Sequence, residues 1–156
     1  MNHTDVVEAL GLEPLPHEGG WFRRSFGDGA ADTCSVILYL MSARTDDGGS
    51  GFSAMHLLDA TEVFTFVAGA PAEMLLLHPD GSTSRPRLGV HLARGETPQV
   101  VVPAGVWQGT VTLGAWTLVT TTVSPTYTDD IFHLGARDEL IARWPDAAAA
   151  IVARTR

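Results

Sequence analysis

Glycine and proline cut the middle of this chain into short pieces, and none of those pieces has room for a long helix. Cys34 to Met41 is one continuous apolar run with a β-branched character. Glu73 to His78, Gln99 to Val102, Trp107 to Leu113 and Ala115 to Val123 are others. Turn chemistry separates them. His78-Pro-Asp-Gly-Ser82 is a hairpin turn in which Pro and Asp favour entry and Gly81 tolerates positive φ. Pro103-Ala-Gly105 closes one strand, and Gly114 is read as the turn of a further hairpin. Trp116, Leu118, Thr120 and Thr122 share one face of the last strand. Many short strands without helices between them predict an all-β sandwich or barrel and exclude a Rossmann-type sheet.

Helices are expected only at the ends. Thr4 can cap a short helix from Asp5 to Leu10, with Gly11 as its stop. Asp138 to Trp144 has helical spacing, with Leu140 and Trp144 on one face, and Pro145-Asp146 opens a second, alanine-rich helix. With 156 residues and no linker, the chain is expected to be one domain. The barrel core spans about residues 19–125 and the C-terminal helical segment about 136–154. The loop from Ser42 to Ser50 separates the first long strand from the strands that carry the chemistry.

Composition excludes several function classes. A net charge of −8 argues against binding nucleic acid or an anionic membrane. No run approaches the ~18 apolar residues needed to span a bilayer. The single cysteine, Cys34, allows no internal disulfide and suggests a reducing compartment. No signal peptide is visible, so a cytoplasmic location is expected. The chain has no GxSxG, CxxC, Walker-type loop or HExxH.

The candidate residues lie on β-forming sequence. His56 and Glu62 flank the turn at Asp59-Ala-Thr61 on strands expected to be adjacent. His56 reads either as a hydrogen-bonded barrel histidine or, with Glu62, as a proton-transfer pair. Glu62 sits among Val63, Phe64 and Phe66, where a carboxylate needs a partner or a proton. Arg23 and Arg24 follow Trp21 and Phe22. On a strand they face opposite ways, so only one can enter a cavity and hold an anion there. Glu18 is read as a salt-bridge partner for one of them. Trp107 and Trp116 suit the core or the wall of a cavity for a flat ligand.

Several blocks occur in an order that resembles a known family. They are Leu15-Pro-His-Glu-Gly-Gly-Trp-Phe-Arg-Arg24, Ser35-Val-Ile-Leu-Tyr-Leu40, His56 with Glu62-Val-Phe-Thr-Phe-Val-Ala-Gly69, Pro98 to Gln108, and Thr122-Val-Ser-Pro125. The chain is similar to the cupin 5 family over roughly Leu12 to Pro145. That resemblance implies a double-stranded β-helix, the cupin jelly-roll barrel, with a ligand-sized cavity and usually a homodimer. The N-terminal segment is expected at the dimer interface.

The resemblance also defines departures. Where cupins place a second metal-binding histidine, this chain has Leu58, and where they place another it has Gln108. Glu-Ile-Trp-His of the family is Glu62-Val-Phe-Thr65 here. Its arginine after the motif histidine is Leu57, and its acidic-Phe pair is Ile131-Phe132. No cofactor is therefore expected. If a divalent metal binds weakly, His56, Glu62 and Gln108 are its ligands. The implied function is a metal-independent isomerase or epimerase acting on a small polar or sugar-like molecule. His56 and Glu62 would be catalytic, with Arg23, Gln108, Tyr39, Trp107 and Thr65 binding substrate. The alternatives are a non-catalytic ligand-binding or sensor protein and a metal-dependent dioxygenase or isomerase.

Overall fold

A computed structural model describes residues 1–27, 31–43 and 51–156. The chain begins with α1 (His3–Leu10), β1 (Glu13–Pro14), β2 (Trp21–Phe26) and β3 (Ser35–Ser42). It continues with β4 (Ser53–Leu58), β5 (Thr61–Gly69), β6 (Ala72–Leu77), β7 (Thr83–Ser84), β8 (Arg87–Leu88) and β9 (Glu96–Thr97). Then come β10 (Gln99–Val102), β11 (Trp107–Thr112), β12 (Trp116–Ser124) and β13 (Phe132–Leu134). Helices α2 (Arg137–Arg143) and α3 (Ala148–Val152) follow. Most of the expected loop from Ser42 to Ser50 lies outside the described residues.

Two sheets pack face to face as a jelly roll. One has the order β1-β2-β3-β12-β5-β10, the other β13-β4-β11-β6-β8-β9 with β7 on β6. All pairings are antiparallel except β8 with β9. The fold class is the one expected, and two local readings change. Gly114 does not turn a hairpin, because β11 and β12 belong to different sheets. Each has an inward face to bury, so the chain crosses the core there. Asn2, not Thr4, caps α1, and its side chain and that of Asp5 satisfy each other's backbone N–H.

Continuous apolar runs reflect burial on both faces. On β6, Met74 and Leu76 enter the core between the sheets, while Leu75 and Leu77 pack under α2 and α3 with Leu140, Trp144 and Ile151. On β3, Tyr39 and Met41 point inward, and Leu40 packs outward with Leu118 against Val6 of α1. The helices at the two ends thus cover opposite outer faces of the sandwich, which is why they are apolar on one side. Glu62 and Phe64 are the inward residues of β5, and His56 and Leu58 those of β4.

Candidate functional site

Alternation places His56 and Leu58 inside the barrel, because Met55, just before His56, packs under the C-terminal helices. Gln108 lies directly beside His56 in the same sheet. Glu62 belongs to the opposite sheet, so it faces His56 across the core rather than from a neighbouring strand. His56, Glu62 and Gln108 are only 2%, 6% and 1% exposed, so each must be paired where it stands. The Gln108 side-chain N–H donates to Glu62 Oε2 at 2.8 Å, and His56 Nε2 lies 3.8 Å from the same oxygen. These contacts tie the two sheets together through polar groups.

A third charged group completes the site. Glu18 enters from the turn between β1 and β2, with Oε1 4.0 Å from His56 Nδ1 and accepting from Ser53 Oγ at 2.7 Å. His56 Nδ1 is also 2.8 Å from the Ala54 carbonyl. The imidazole therefore has a carboxylate on either side, and Phe132 stacks on its ring at 5.2 Å. Burial works against the imidazolium, but Glu18 first and Glu62 next outweigh it, and the pKa is pushed up to about 9. Burial also raises the Glu18 carboxyl above its ordinary value, although His56 pulls it back. At neutral pH His56 carries a proton, so it is an acid or a hydrogen-bond donor, not a base.

Backbone geometry carries Glu18 inward. His17 sits at φ 66° and Gly19 at φ 97°, both left-handed. A Cβ on Gly19 would fall 2.2 Å from Arg156 Nη2 and 2.7 Å from the Phe52 carbonyl oxygen, so only glycine allows the loop to lie so close. Tyr39 OH donates to the Gly19 carbonyl, and the Ala54 N–H to the Glu18 carbonyl. Arg156 clamps the same turn. Its Nη1 donates to the carbonyls of Glu18 and His17 at 3.1 and 3.3 Å, over the Phe52 ring. Substituting Arg156 by alanine is expected to let Glu18 move away and to lower the His56 titration midpoint by about one unit or more. Histidine NMR against pH reads this directly; an unchanged midpoint would show that the clamp does not position Glu18.

A cavity of about 520 Å³ opens onto these groups. Glu18, His56, Glu62 and Thr121 supply its polar lining, and Leu15, Phe22, Ile37, Leu58, Val123 and Phe132 its apolar walls. Arg24, Tyr127 and Asp129 also line it. The arginine in the cavity is Arg24; Arg23 is exposed on the other side of β2. Tyr39 is a core residue that holds the Glu18 turn rather than part of the lining. Trp107 packs with the cluster under the C-terminal helices. Thr65 accepts from the Gln99 side chain on the outer side of β5, opposite to Glu62. The histidine that this chain lacks at position 65 is thus no loss to the cavity. Sequence reasoning missed Glu18 as a site residue, though the Glu-Gly-Gly turn marked it.

The donor set does not fit a transition metal. Gln108 turns N–H, not oxygen, toward Glu62, and Leu58 fills the position of a second histidine. The two carboxylates lie on opposite sides of His56 and share no vacant point with it. No group of three or more His, Cys, Asp or Glu among the described residues is arranged to hold an ion.

The profile of a family described as Cupin superfamily (DUF985) matches residues 4–135. No curated protein matches the chain. Among solved structures, a protein from Shewanella oneidensis is 33% identical with a TM-score of 0.88, covering 100% of this chain and 98% of that one. A hypothetical protein from Leishmania major is 20% identical with a TM-score of 0.84, over 99% of each chain. Oxalate decarboxylase from Bacillus subtilis, at 9% identity and a TM-score of 0.61, covers 99% of this chain and 38% of that one, and is alike in fold alone. With the match running from residue 4 to residue 135, the chain belongs to the cupin superfamily, in the family DUF985.

Proposed function

We propose that the protein is a metal-independent isomerase or epimerase that moves a proton on a small polar molecule. One observation carries this reading: a buried histidine in the cavity wall, held charged between two carboxylates. The two carboxylates keep His56 protonated as the acid, while burial raises the Glu18 carboxyl and makes it a better proton acceptor than an ordinary carboxylate, so one site supplies both an acid and a base. Glu18 takes a proton from the carbon next to a carbonyl. The electron pair moves onto the carbonyl oxygen, which the His56 N–H stabilises; a proton from solvent then adds to the opposite face of the same carbon, and Glu18 gives its own proton up to solvent. Glu62, fixed by Gln108, keeps His56 charged.

The protein works without a cofactor, as one domain, in the cytoplasm, and as a homodimer. The exposed Val101 on β10, at the edge of its sheet, supports association between copies. A second reading, a binding protein without chemistry, is favoured by the largely apolar walls.

A thermal-shift screen of small hydroxylated carbonyl compounds, followed by solvent-deuterium exchange on each hit, separates the two. The enzyme exchanges deuterium into a bound compound, and Glu18→Gln slows exchange by about 100-fold or more while binding persists. Hits that bind the wild-type protein without exchanging any proton would leave only the binding protein.

A further inference from the structure

The cavity lining divides by depth. His56, Glu62, Ser35 and Thr121 are buried, whereas His17 and Asp129 are exposed, with Arg24 and Tyr127 half-buried toward that end. Charge divides the same way. The deep end holds two carboxylates about one imidazole, so its balance is negative when His56 is charged. The Thr121 hydroxyl there is buried and has no hydrogen-bond partner among the described residues. Such an end welcomes ligand hydroxyls and repels an anion.

The mouth carries the cation. Arg24 Nη1 donates to the Gly27 carbonyl at 2.7 Å, and the guanidinium lies 5.8 Å from the Tyr127 ring centroid. That bond uses one of five N–H donors, so donors remain for a carboxylate. Asp129 lines the same cavity and Asp32 lines a second pocket with Arg24, so a ligand carboxylate would compete with both. Leu15, Phe22, Ile37 and Leu58 supply apolar walls, which suit a ring or a short carbon chain. The volume of about 520 Å³ lies in the usual range for small-ligand sites.

We propose that the cavity takes a small hydroxylated organic acid, with its carboxylate on Arg24 and its hydroxyl end toward Glu18, Glu62 and Thr121. This names the substrate class for the reading above and rests on that reading of the cavity as the functional site, though not on turnover. Orientation follows from charge: the reverse placement would set a carboxylate against two others.

Calorimetric titration of the full chain with three probes tests it. They are 4-hydroxyphenylacetate, its amide, and phenylacetate. The hydroxy acid should bind about tenfold or more tighter than either of the others. Arg24→Gln should erase its advantage over the amide but not over phenylacetate, and Arg24→Lys should restore part of it. Thr121→Val should reduce the advantage over phenylacetate alone. An amide that binds as tightly as the acid, an Arg24→Gln protein with unchanged affinity, or no binding of the hydroxy acid at millimolar concentration would each overturn the proposal. Selective binding of the hydroxy acid, without proton exchange on it, would uphold it and count against the isomerase alone.

Discussion

Substituting His56 by leucine should cost about 3 kcal/mol or more of stability at neutral pH, because it leaves Glu18 and Glu62 facing each other without the cation between them. The direction with pH identifies the cause. Without the imidazolium, burial and the facing Glu62 charge make Glu18 more easily protonated in the fold than in the unfolded chain. The penalty is then smallest in acid and grows as pH rises through the carboxylate range. A triple variant in which Glu18→Gln and Glu62→Gln accompany His56→Leu should recover much of the loss. Denaturant unfolding at pH 4.5 and pH 7 measures both effects. An equal deficit at the two pH values would mean that the cost is packing against Phe132, not unpaired charge.

The wild-type protein should itself lose stability on the alkaline side. His56 titrates at about 9 in the fold against 6.5 in the unfolded chain. A raised pKa contributes stability that is fully present below 6.5 and is lost as pH rises through about 9. Across that window the loss is on the order of 3 kcal/mol. Three other groups are raised as well: Glu18 from 4.5, Tyr39 well above 10 and Tyr127 to about 12. Unfolding measured between pH 6.5 and 9.5 therefore leaves out the tyrosines, and the Glu18→Gln protein measured beside the wild type separates His56 from Glu18. The slope should be absent from His56→Leu, and a flat wild-type profile would rule out the charged imidazole.

The fold was legible because its signals are local. Pro103-Ala-Gly105, the turn at Gly81 and the continuous run of β6 fix strand ends by backbone chemistry alone, and Gln99–Val102 falls where the sequence puts it. The site was half legible. His56, Glu62 and Gln108 stand out as polar groups in apolar strands. Glu18 does not, because its partners Ser53 and His56 are far along the chain, and pairing at that distance leaves no mark on spacing. Arg23 and Arg24 are equivalent in sequence, and only the register with Leu38 and Ile37 on β3 decides which enters. Thr65 could have been placed: three residues from an inward Glu62 on a regular strand is the opposite face.

The clamp at Arg156 has a consequence for the order of folding. Its contacts with His17 and Glu18 close loops of 139 and 138 residues. Contacts of that span form late and with a large loss of chain entropy, whereas the hairpin turns form early. The sandwich can therefore assemble before Glu18 is held against His56. By the same reasoning, the terminal helices can detach in a partial opening that empties the site of its charge balance while the sheets stay paired. Amide exchange would see this as a low-energy unit joining residues 137–156 to the turn at residues 16–20, separate from the slow core of β3, β5 and β12.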